Sequence, residues 1–277
     1  MSIVFHKMHG AGNDFVLLDL REQDCLLDPK RAGLISDRHR GVGCDQILVL
    51  RKPLQQENVA RYEIWNSDGS QALQCGNGAR CIGLYLELNG DIDVESFTLE
   101  SPSGKIVMEQ CADGQFEVNM GVPDFEPARV PLKLVTDDGR YRLDSPWGQL
   151  EFGAVSMGNP HALMLVDDIA DIRIQDIGAF VSTHEAFPEG CNVGFAQVEN
   201  RGKIQLRVYE RGAGETLACG SGACAAVAIL KQSGRVDDVV DVLLTGGHLV
   251  IQWSGRNNQP IRMKGPAEHV FRGTLNG

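Results

Sequence analysis

The 277-residue chain has no apolar run near the ~20 residues that a membrane-spanning helix requires. It also lacks low-complexity tracts, long polar linkers and any block of clustered Lys and Arg. These absences argue against a membrane protein and a disordered one. Together with a formal net charge of −11, the lack of a basic cluster also argues against a nucleic-acid partner or an anionic membrane surface. Residues 1–15 show neither a long apolar stretch nor a small-residue cleavage site, so no export signal is expected and the reading is cytoplasmic. In that compartment the eight cysteines, Cys25, Cys44, Cys75, Cys81, Cys111, Cys191, Cys219 and Cys224, read as thiols and not as a disulfide framework. Most are expected to be small buried hydrophobes. No Cys/His spacing suits zinc, so no metal site is expected. What remains is 43% hydrophobic residues, enough for a buried core and about two ordinary domains.

The chain reads twice. Residues 62–81 align with residues 206–225 at an offset of 144. Each segment has an alternating strand-like run ending at Asn66 or Glu210, then a Gly-containing turn, then Cys-Gly-x-Gly-Ala from Cys75 or Cys219. Beyond each cysteine, Ala79, Ile82, Gly83 and Leu86, or Ala223, Ala226, Val227 and Leu230, repeat at helical spacing. Two weaker matches place Asn13 opposite Asn159 and Gln46 opposite Asn192, both at 146. Four matched positions in one order, Asn13/Asn159, Gln46/Asn192, Asn66/Glu210 and Cys75/Cys219, imply two homologous lobes, each with several short strands around one helix that starts just after a cysteine. Between these landmarks, residues 97–110 and 130–143 carry hairpin signals, and the class is α+β. The expected lobes are 1–119 plus 265–277 and 120–264, with the link near Met120-Gly121-Val122-Pro123.

A cysteine at a helix N-terminus meets unpaired N–H groups and a partial positive charge, which favour a thiolate and also hold a carboxylate. Two such lobes facing one cleft suit an α-amino acid, with one sulfur removing the α-proton and the other protonating the opposite face. The weakly acidic α-proton demands preorganised donors for the enolate. No pyridoxal site is evident, so no cofactor is expected. A lone cysteine is usually a packing residue; two in duplicated positions before Gly-rich helix starts point to Cys75 and Cys219 as an acid/base pair. Beside glycine, Asn13, Asn66 and Asn159 would otherwise read as turn residues. His6, His9, His39, His184, His248 and His269 read as surface or packing histidines.

The sequence resembles the diaminopimelate epimerase family over nearly its whole length. The resemblance rests on Lys7-Met8-His9-Gly10-x-Gly12-Asn13-Asp14-Phe15, on Asn66-x-Asp68-Gly69-Ser70 followed by Cys75-Gly76-Asn77-Gly78-Ala79-Arg80, on Met157-Gly158-Asn159-Pro160-His161, and on Glu210 to Thr216 before Cys219-Gly220-Ser221-Gly222. It implies cofactor-free interconversion of LL- and meso-2,6-diaminopimelate for lysine and peptidoglycan synthesis. The implied fold is two lobes, each a mixed β-barrel around a central helix, with the C-terminal tail returning to the first. It further implies that Cys75 accepts and Cys219 donates the proton in one direction, with His161 and Glu210 tuning the thiols. Substrate contacts are implied for Asn13, Gln46, Asn66, Gly76, Asn77, Asn159, Asn192, Glu210, Arg211, Gly220 and Ser221. Amides suit a doubly zwitterionic substrate, and Arg211 can fork onto a carboxylate. A homodimer is implied too, although Phe271 stands where some members carry tyrosine.

Two other readings compete. A proline or hydroxyproline racemase of the same fold would leave Arg211 and the amide set without a distal substrate group. A thiol redox-sensing, ligand-binding module would use the same two cysteines as a reversible disulfide.

Overall fold

The computed structural model describes residues 2–72 and 75–275, and Leu73 and Gln74 of the first repeat lie outside them. The chain divides into two compact units, Met1–Asn119 with Lys264–Gly277, and Met120–Met263.

In the first unit, β1 (Ile3–Gly10) turns into antiparallel β2 (Asn13–Asp19). After α1 (Pro29–Ser36), β3 (Gln46–Arg51) joins β2 in parallel, and β4 (Ala60–Asn66) runs antiparallel to β3. Short β5 (Gln71–Ala72) lies on β4, and α2 (Gly76–Leu88) follows. Then β6 (Ser96–Ser101) pairs in parallel with β4, and β7 (Gly104–Gln110) and β8 (Phe116–Asn119) continue antiparallel. The hairpin expected over 97–110 is β6–β7.

The second unit opens with the β9 (Tyr141–Ser145) and β10 (Gly148–Ser156) hairpin. Next come β11 (Pro160–Leu165), α3 (Ile174–Ser182), β12 (Asn192–Asn200), β13 (Lys203–Glu210), β14 (Gly214–Thr216), α4 (Gly220–Gln232), β15 (Val239–Leu244) and β16 (Gly247–Gln252). From β10 to β16 every pairing repeats that of β1 to β7. Antiparallel β10–β11, parallel β11–β12, antiparallel β12–β13 and β13–β14, parallel β13–β15 and antiparallel β15–β16 follow in that order. The four sequence matches therefore extend to a whole duplicated topology. After β17 (Arg262–Gly265), β18 (Glu268–Leu275) returns to pair with β1.

The two later helices are enclosed. In α4, Gly220, Gly222, the run Ala223 to Ala228 and Leu230 are buried, so this helix is apolar all round, as an interior helix must be. It contacts β10, β11, β12, β13 and β16, and α2 contacts β1, β2, β8 and β18. Each unit is thus a mixed sheet curved about one helix. The earlier helices cover the outer faces, α1 against β3 and β4 and α3 against β12, β13 and β14. Covered on both sides, the β3 residues Ile47, Leu48, Val49 and Leu50 are all fully buried.

The helix expected at the centre of each lobe is α2 or α4, and α1 and α3 are outer helices that the sequence reading did not name. The start of α1 carries ordinary signals: Asp28 accepts from the Arg31 N–H at 2.8 Å, and Pro29 opens the helix. One expectation needs correction: residues 130–143 do not form a hairpin. Pro131 has no N–H to offer a ladder. Val130 and Leu132 donate instead to turn carbonyls of Glu126 and Pro127 at 3.1 and 3.0 Å, while their side chains enter the second unit's core. Only Tyr141–Ser145 becomes a strand, and its partner is β10.

Candidate active-site residues

In the first unit the relevant side chains gather at one end of three adjacent strands and the start of α2. Cys75 is the N-cap of α2, with extended backbone (φ −150°, ψ 104°), and its Sγ accepts from the Gly78 N–H at 3.4 Å. Gly78 must be small, because a Cβ there would sit 2.9 Å from Leu48 Cδ2. Asn13 heads β2, Gln46 heads β3 and Asn66 ends β4, and Gln46 lies directly opposite Asn66. Gln46 Nε2 donates to Asn66 Oδ1 at 2.9 Å, and Asn66 Nδ2 donates to Ser70 Oγ at 3.0 Å. Asn13 Oδ1 lies 3.8 Å from Cys75 Sγ and 3.4 Å from Asn77 Nδ2. Gly76 and Asn77 are buried in the first turn of α2.

The second unit repeats this arrangement with different chemistry. Cys219 caps α4 in the same extended conformation and is buried. Its Sγ donates to Glu210 Oε2 at 3.1 Å and lies 3.6 Å from Ser221 Oγ. Burial, then the Glu210 carboxylate, push the Cys219 thiol well above its ordinary range, while Ser221 and the Gly222 N–H pull weakly the other way. The sulfur is therefore held protonated. The other Glu210 oxygen accepts from Thr216 Oγ1 at 2.5 Å. Asn192 heads β12, and its Oδ1 accepts from the Arg211 N–H at 2.9 Å. Arg211 Nη1 donates to the Glu189 carbonyl at 2.5 Å. Asn159 Oδ1 lies 3.0 Å from Nε2 of His161. His161 is pushed down to about 3 by burial, then by the nearby Arg211 charge, so it is neutral at physiological pH.

Each unit thus brings together its share of the expected residues, and Glu210 touches its thiol directly. Thr216 is a participant that sequence reasoning passed over. It lies within the quoted Glu210–Thr216 stretch, but only the β13–β14 turn aims its hydroxyl at Glu210. Of the remaining cysteines, Cys44, Cys81, Cys191 and Cys224 are buried in the core. Burial raises the thiols of Cys44, Cys81 and Cys191, the last to about 12. No helix among the described residues is long and apolar enough to cross a membrane.

The family model for diaminopimelate epimerase matches residues 5–126 and 153–270. The diaminopimelate epimerase of Xanthomonas campestris pv. campestris is 50% identical over 273 residues, covering 98% of this chain and 96% of its own. That of Xylella fastidiosa is 47% identical over 274 residues, covering 99% and 96%. Among solved structures, a hydroxyproline epimerase from Agrobacterium vitis with bound trans-4-OH-L-proline superposes with a TM-score of 0.72. It shares 16% identity over 99% of this chain and 92% of that one. A PhzF-family phenazine biosynthesis protein from Bacillus anthracis superposes at 0.68, with 13% identity over 100% and 99%. Those two share the fold alone, whereas the sequence relatives and the family model agree across both units: the chain belongs to the diaminopimelate epimerase family.

Proposed function

We propose that this chain interconverts LL- and meso-2,6-diaminopimelate without a cofactor, using Cys75 and Cys219 as the acid/base pair. The observation that carries the reading is the duplicated N-cap: each cysteine heads a buried helix at the equivalent point of a repeated topology. Helix N-terminal N–H groups receive the α-carboxylate and stabilise the enolate that forms from it. In one direction the Cys75 sulfur takes the α-proton and Cys219 delivers its own proton to the opposite face. Glu210 keeps that second sulfur protonated until it is needed, which makes the resting roles unequal. In the reverse direction the roles exchange. Arg211, Asn159 and Asn192 receive a carboxylate end of the substrate, and Asn13, Gln46 and Asn66 add amide contacts. His161, buried and neutral, contributes to the setting of the thiols as an uncharged group.

The test is epimerisation of LL-diaminopimelate in D₂O under reducing conditions, with loss of the α-proton signal followed by NMR. Wild type should exchange and epimerise, and Cys75→Ala and Cys219→Ala should each lose at least ~10³-fold in epimerisation. Activity surviving both substitutions rejects the two-thiol mechanism, and turnover of proline instead rejects the substrate.

The reaction belongs in the cytoplasm, where both sulfurs stay reduced. A homodimer is part of the same reading. Val270 and Phe271 are each about half exposed on β18, and Phe271 packs edge-on against Phe5 of the paired strand β1, which offers an apolar edge to a second copy. Light scattering should give a dimer mass for wild type and a monomer mass for Phe271→Asp; an unchanged mass removes this face from consideration.

A further inference from the structure

Asn13 has two chemically opposite ends, and its orientation decides which one Cys75 meets. Its Nδ2 lies 3.0 Å from Asp45 Oδ2. A carboxylate carries no hydrogen and can only accept, so the end facing Asp45 is the amino end. Oδ1 therefore turns toward Cys75 Sγ and Asn77 Nδ2. The Asn77 amide is oriented independently. Arg80 Nη2, which can only donate, lies 2.9 Å from Asn77 Oδ1. Arg80 is fully buried in α2, and its Nε also reaches the Pro266 carbonyl at 3.3 Å. The hydrogen bonds run head to tail, from Arg80 to Asn77 to Asn13 to Asp45. Turning either amide would set donor against donor and acceptor against acceptor.

Asp45 is itself held in place. Its Oδ2 accepts from the Asp14 N–H at 3.1 Å, its N–H donates to Asp14 Oδ1 at 2.9 Å, and Arg38 Nη2 pairs with its Oδ1 at 2.7 Å. In the second unit the position equivalent to Asp45 is Cys191, and the Asn159 oxygen turns to His161 instead.

We propose that Asp45 is a positioning residue for the Cys75 half of the reaction. It holds the Asn13 carbonyl oxygen inward, where that oxygen accepts the S–H formed when Cys75 takes the α-proton, or an N–H of the substrate ammonium. This rests on the reading of Cys75 as an acid/base group, and the test separates the two.

The test measures kcat/KM for LL-diaminopimelate and thermal unfolding in wild type, Asp45→Asn, Arg38→Met, Asn13→Ala and the Asn13→Ala/Asp45→Asn double variant. Asparagine at position 45 can donate or accept, so it no longer dictates the Asn13 orientation. Asp45→Asn should lose about 10-fold or more, the scale of a hydrogen bond to a charged group. Arg38→Met removes its ion pairs with Asp45 and Asp14. The two backbone hydrogen bonds between Asp14 and Asp45 still hold the Asp45 carboxylate on Asn13, so this variant should stay within about 3-fold of wild type. In the Asn13→Ala background, Asp45→Asn should cost almost nothing more, because its route to the thiol is already gone. Asp45→Ser supplies a second reading should the asparagine variant fold poorly. Equal effects of Asp45→Asn and Arg38→Met overturn the proposal, as does an Asp45→Asn loss that persists in full without Asn13. An inactive wild type rejects the function and this proposal together, whereas an active wild type with either of those patterns rejects the proposal alone.

Discussion

Cys75 and Cys219 occupy equivalent N-caps, yet the residue nine positions before each differs by a full charge, Asn66 against Glu210. The Glu210 carboxylate accepts the Cys219 S–H at 3.1 Å and raises that thiol together with burial. Glu210→Gln keeps the side-chain shape and removes the charge, so the Cys219 thiol should ionise at lower pH. In the proposed two-thiol mechanism one sulfur must be thiolate and the other thiol, so the profile of kcat/KM against pH should be bell-shaped. In the direction that uses Cys219 as donor, Glu210→Gln should move the basic limb to lower pH. Its maximum should fall roughly 10²-fold. A limb that stays put removes Glu210 from control of the thiol, and the limbs belong to the coupled pair, not to either sulfur alone. The two cysteines were legible in the sequence because one short pattern occurs twice. Thr216 and Asp45 were not, since each reaches its partner through strand pairing that leaves no local pattern.

At the scale of elements, small residues decide how closely helices approach strands. A Cβ on Gly178 of α3 would lie 2.5 Å from Tyr209 Cβ and 2.6 Å from its Cγ. Those atoms are tied to the β13 backbone, so the strand must move. Alanine would gain up to about 1 kcal/mol in helix propensity. The overpacking cost is about 1–3 kcal/mol, so it should win and Gly178→Ala should unfold at lower denaturant concentration. Because Tyr209 adjoins Glu210, kcat/KM should fall as well; a more stable and fully active variant would mean that α3 shifts freely on its sheet. Sequence periodicity located α2 and α4, whose apolar spacing is regular. It passed over α1 and α3, which are only eight and nine residues long. It also credited a hairpin to residues 130–143, where the alternation of the first arm was real but Pro131 prevents a ladder.

The molecule as a whole carries an acid-sensitive group in its core. His161 has a folded value of about 3 against an ordinary 6.5, through burial and the Arg211 charge. Between those limits the unfolded chain binds a proton that the folded chain refuses. Stability from this group is therefore complete above pH 6.5 and is lost as pH falls toward 3, at up to about 1.4 kcal/mol per unit. His6, lowered chiefly by burial, adds a smaller contribution of the same sign. His161→Gln removes the titration and should flatten the fall in unfolding free energy between about pH 6.5 and 4.5, measured by denaturant titration at each pH. An unchanged slope would show that acid sensitivity arises elsewhere.

The sequence by itself determined the duplication, the α+β class, the two helix-capping cysteines and the family, because each is written as local pattern or as residue identity along the chain. The tertiary structure decided the inequality of the halves. It set Glu210 on Cys219 with Thr216 behind it, Asn13 on Cys75 with Asp45 behind it, and His161 in a dry core next to Arg211. The physical reason is that hydrogen-bond direction, burial and charge proximity are properties of neighbours in space. Asn13, Asp45 and Cys75 come together from distant parts of the chain, as do His161 and Arg211. Even the nearby Glu210, Thr216 and Cys219 meet only because β13 and β14 pair.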